Sequence, residues 1–133
     1  MKISAEAEGL RAFVLWALEQ EDLELFDAAK NFVRQLFIFA HMRFGGNEFR
    51  IQQSMMSDLA AKLMLAAQRK NRGHVPISLH VLANASVENR RALDMAIEFA
   101  PAIYDLAGFP PREKLHDVAQ LYFGADCQAP FAL

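Results

Sequence analysis

Glu113 and His116 are the residues whose types and spacing most resemble a metal site. A Glu and a His three positions apart share one helix face, and di-iron helical proteins use two such pairs with two further glutamates. Here there is one pair. His41, His74 and His80 have no acidic residue at the matching offset. Glu113 is better read as a first-turn acid favoured by the helix dipole, with His116 in solvent. We expect no metal centre and no cofactor.

Residues 76–97 carry a second pattern. A short helix, a turn at Asn84-Ala85-Ser86 and a longer helix opening on Glu88-Asn89-Arg90-Arg91 have the order of a helix-turn-helix. In that motif the start of the second helix faces base edges and phosphates. Ser86, Asn89, Arg90 and Arg91 would be the readers, and Lys70, Arg72 and His74 would add phosphate contacts. The bland reading makes Ser86 a helix cap and pairs the arginines with Asp94 and Glu98 along one face. The turn also lacks glycine, and the second helix carries apolar residues on two sides.

Nucleophilic catalysis needs a nucleophile with a base. Cys127 has no histidine near it in sequence, and the chain contains no Gly-x-Ser-x-Gly, no phosphate-cradling glycine loop and no HExxH. Asp94, Glu98 and Asp105 read as a solvated acidic strip rather than acid–base machinery. The expectation is a protein that is not an enzyme.

The totals point the same way. The chain has 133 residues, 53% hydrophobic and 23% charged, with a formal net charge of -2. That is one domain with a real core. A general polyanion binder would usually be basic. One cysteine excludes an intrachain disulfide and suits a reducing compartment. The first residues do not read as a secretory signal, because Glu6, Glu8 and Arg11 interrupt a short apolar run. No window of about 20 residues is free of charge, so no membrane span is expected. The cytoplasm is the expected location.

The elements that would hold these residues are helices. Residues 4–19 form the first, capped by Ser4, with Glu6 and Glu8 in its first turn. Asp22 caps a second helix reaching about Phe44, where Gly45-Gly46 ends it. Residues 47–53 fit either an extended piece or an early helical turn. From Ser54 a helix places Met56, Leu59, Ala60, Leu63, Ala66 and Ala67 on one side, with Asp58, Lys62, Gln68 and Arg69 away from it. Pro76 opens a short helix through about Ala83, although ISLHVLA also fits a strand. A long helix over 87–107 follows, which Pro101 should kink or split near Ala100. Pro111 starts the last, ending near Phe123.

This predicts an all-α bundle of five to six helices with a long, Pro-interrupted fifth helix. The domain spans 1–124, and 125–133 form a short tail. Helices two and five should be central. The first, second and fifth carry apolar residues outside a single face. In the second, Ile38, His41 and Met42 occupy the side that was polar a turn earlier. Either a neighbouring helix or a second chain must cover them. We therefore expect protein–protein binding, with a homodimer or a constitutive partner, as an adaptor, assembly chaperone or regulatory inhibitor. The expected contact residues are Phe13, Trp16, Ile38 and Met42.

Overall fold

A computed structural model describes residues 4–41, 46–70, 75–84 and 90–103. Among these the chain is entirely helical: α1 Ala5–Leu18, α2 Leu23–His41, α3 Gly46–Arg69, α4 Ile77–Ala83 and α5 Arg90–Ile103. The expected last helix, the tail, Glu113, His116 and Cys127 lie outside the described residues.

Local signals set the helix starts. The Ser4 hydroxyl accepts the Ala7 N–H at 3.1 Å, with Ser4 in the extended conformation of an N-cap. Asp22 does the same for α2, its Oδ1 accepting the Leu25 N–H at 3.0 Å. The end of α1 is closed by the Gln20 amide, which donates to the Trp16 carbonyl at 3.0 Å. Pro76 sits at the N-cap of α4, one position earlier than expected, and ISLHVLA is helix rather than strand.

The third helix starts at Gly46, so residues 47–53 are helical. The polar look of this stretch hid a helical stripe. Phe49, Gln53, Met56, Ala60, Leu63 and Ala67 follow one another at spacings of three and four, with Gln52 beside them, and all but Phe49 are buried. Two glutamines occupy core positions there.

The second helix is the hub. It packs on α1, α3 and α5. Leu25, Ala29, Phe32, Val33 and Leu36 are fully buried, and every residue from Gln35 to Ala40 is buried. Burying each large side chain there contributes about 1.5–3 kcal/mol before entropy is charged against it. The fifth helix is less symmetric than its composition suggests. Met95, Ala96, Phe99, Ala100, Ala102 and Ile103 make one broad buried face, while Ile97 is exposed among Asp94 and Glu98. The helix runs through Pro101 to Ile103.

Antiparallel packing of α2 and α3 is fixed at both ends. Near the 41–46 connection, the Phe39 and Phe49 rings stand 5.6 Å apart. At the open end, Lys70 meets Asp22 at 2.9 Å and Arg69 pairs with Glu24. The Ser57 hydroxyl then ties α3 to α4 by donating to the Ala83 carbonyl.

Candidate functional site

The residues expected to contact a partner fall in different environments. Phe13 is 2% exposed, on the inner face of α1 with Ala7, Leu10, Val14 and Ala17. Ile38 is 6% exposed. Both are buried within one chain. Trp16 is half-buried at the rim of the core, its ring centroid 5.7 Å from that of Phe13. The adjoining Leu15 is exposed. Met42 lies outside the described residues.

For the nucleic-acid pattern, α4 is a helix and packs against α5. Arg91 is exposed near the start of α5, and Arg90 is its first residue. Arg72, His74, Ser86 and Asn89 lie outside the described residues. Among the described residues no three His, Cys, Asp or Glu side chains gather as a metal site would require, and no helix is long and apolar enough to cross a membrane.

One polar cluster is buried. Gln35 of α2 and Gln52 of α3 are joined by a side-chain hydrogen bond of 2.7 Å, with Gln53 buried beside Gln52. The Gln35 Nε2 also approaches the Gln52 backbone carbonyl at 3.4 Å, so its donor has both a side-chain and a backbone acceptor. Such a cluster fixes the register of two helices; it carries no nucleophile and no titratable group.

The accessible apolar surface sits elsewhere. Ile51, Met55 and Leu65 are exposed on the outer side of α3, and Leu23 is exposed at the start of α2. On a helix of 3.6 residues per turn, Ile51, Met55, Asp58, Lys62, Leu65 and Arg69 form one stripe, opposite the buried stripe of the same helix. Ile51 is 56% exposed and Leu65 51%. Sequence reading recognised the polar members of this stripe as an outer face. Its apolar members are not legible there, because Ile51, Met55 and Leu65 stand among polar neighbours on that face. Comparison with protein-family models, curated proteins and solved structures gave no match.

Proposed function

We propose that the protein acts by binding other protein chains, a second copy of itself included, and not as an enzyme: an adaptor, assembly chaperone or regulatory inhibitor working in the cytoplasm. The supporting observation is the row Ile51, Met55 and Leu65, large apolar side chains left in solvent on one side of α3. A scattered exposed Leu needs no explanation, but aligned ones on one helix suit a helix-on-helix contact. Burial of Phe13 and Ile38 inside the chain moves the contact surface outward, to the α3 row and to Trp16 with Leu15 at the rim of α1. The reading includes a sixth helix over 111–123 and an interruption of the fifth at Pro101, which lacks the N–H that would bond to Ile97.

Sedimentation equilibrium at low micromolar concentration, with affinity capture from the native host, tests this. A reversible dimer, or a partner lost on Ile51→Ser with Leu65→Ser, supports it. A chain that stays monomeric and retains nothing that those substitutions abolish overturns it. The second reading is a DNA-binding regulator using 76–97, favoured by the helix at Ile77–Ala83 packed on α5 with Arg91 exposed. Salt-sensitive duplex binding lost on Arg90→Ala and Arg91→Ala would establish it in place of the first.

A further inference from the structure

We propose that the outer face of α3 docks on the same face of a second copy, antiparallel, about a two-fold axis level with Ala60. This rests on the protein-binding reading above and names the partner and the register.

The order of residues along the stripe is self-complementary about position 60. Two positions to either side stand Asp58 and Lys62; five to either side stand Met55 and Leu65; nine to either side stand Ile51 and Arg69. All six are exposed. In an antiparallel pair centred on Ala60, Asp58 of each copy faces Lys62 of the other, and this happens twice. Met55 packs on Leu65, also twice. Ile51 lies along the aliphatic stem of Arg69, whose guanidinium is held by Glu24. An isologous contact requires this reciprocity, since each residue of the patch must meet its complement on an identical patch.

Other registers fail on charge. A parallel pair sets Asp58 against Asp58 and Lys62 against Lys62. Shifting the antiparallel centre to 58 or 62 opposes like charges at the axis. Only a centre between the two alternates the signs, and like-charge juxtaposition is what rejects wrong partners at an interface. Asp58 and Lys62 are also available: neither makes an ion pair with another described residue. The stripe from Ile51 to Arg69 is roughly 27 Å long at 1.5 Å per residue. Leu23, 75% exposed, lies at the same end of the hairpin as Arg69, because its neighbours Asp22 and Glu24 pair with Lys70 and Arg69. It adds apolar surface at each end of the dimer, beside the incoming Ile51. A single helix pair of this size belongs with small, reversible interfaces.

Charge exchange tests the register. The full chain is followed by sedimentation equilibrium up to about 100 μM, with circular dichroism as the folding control. Wild type is expected to dimerise. Asp58→Lys and Lys62→Asp, each alone, are expected to weaken the dimer at least about tenfold, because each opposes like charges. Mixed one to one, the two variants are expected to form a heterodimer, and the Asp58→Lys/Lys62→Asp double exchange to restore the homodimer. Both sites are exposed, so folding should be retained. A dimer indifferent to both single reversals overturns the α3 face while leaving protein binding intact. Loss in the singles without rescue by mixing overturns the register. A wild-type monomer throughout removes the second copy as occupant, and the capture experiment then decides the broader reading alone.

Discussion

The Gln35 side chain of α2 donates its Nε2 hydrogen to the Gln52 Oε1 of α3 at 2.7 Å, with both residues buried. A buried amide that loses its partner pays its full desolvation cost. Gln35→Ala is therefore expected to destabilise the fold by about 1–3 kcal/mol in chemical denaturation. Replacing both by leucine should cost less than the sum of the single leucine changes, since no polar group is stranded. Strictly additive losses would show that the two amides are not coupled.

Ile38 and Leu65 separate fold from surface. Ile38→Ala opens a cavity in the core and is expected to cost about 2–5 kcal/mol at dilute concentration. Leu65→Ser, on the outside of α3, should stay within about 0.5 kcal/mol yet weaken self-association. Thermal melts paired with sedimentation check both. The reverse pattern would mean that Ile38 is covered by another chain and not by its own.

Ser78 is buried in α4, and its hydroxyl has no hydrogen-bond partner among the described residues. Ser78→Ala removes an unsatisfied polar atom without adding volume. The expected result is an unchanged or raised melting temperature. A clear drop would mean that the hydroxyl is bonded in solution.

Asp22 has its carboxyl held below its ordinary 3.8, first by the hydrogen bond from Lys70 and then by the Leu25 N–H. The ionised form is thus favoured in the folded chain. Its contribution is present above pH 3.8 and is lost as the pH falls below that value through the folded-state pKa. Asp22→Asn should be less stable than wild type at pH 7, with the gap closing in acid and narrowing in high salt, because the pair is partly exposed. A gap constant with pH would assign the effect to the cap alone.

What could be read in advance followed from residues with one dominant physical preference. Ser4 and Asp22 are short acceptors before apolar runs, and both cap helices. Leu25, Ala29, Phe32, Val33, Leu36 and Ala40 lie a turn apart, and all are buried. Failure came where polarity and burial part company. Gln52 and Gln53 are core residues of α3, so a hydropathy pattern breaks at the point where the helix continues. Gly45-Gly46 reads as an end, yet Gly46 also opens α3. Ile97 reads as core on α5, but the broad face through Met95, Ala96, Phe99 and Ile103 turns it outward. Asp58 and Lys62 read as part of an outer face, but their symmetry about Ala60 bears on a contact only because Ile51, Met55 and Leu65 are exposed.

The unbroken burial from Gln35 to Ala40 also bears on how the chain is made. Among the described helices, α1 precedes Phe37 and Phe39 as the polypeptide leaves the ribosome, and α3 and α5 follow them. α2 packs on both of these later helices, and α5 ends at Ile103. Until then this apolar stretch lacks the packing that α3 and α5 give α2. Its period of greatest aggregation hazard is during translation, before the finished fold exists.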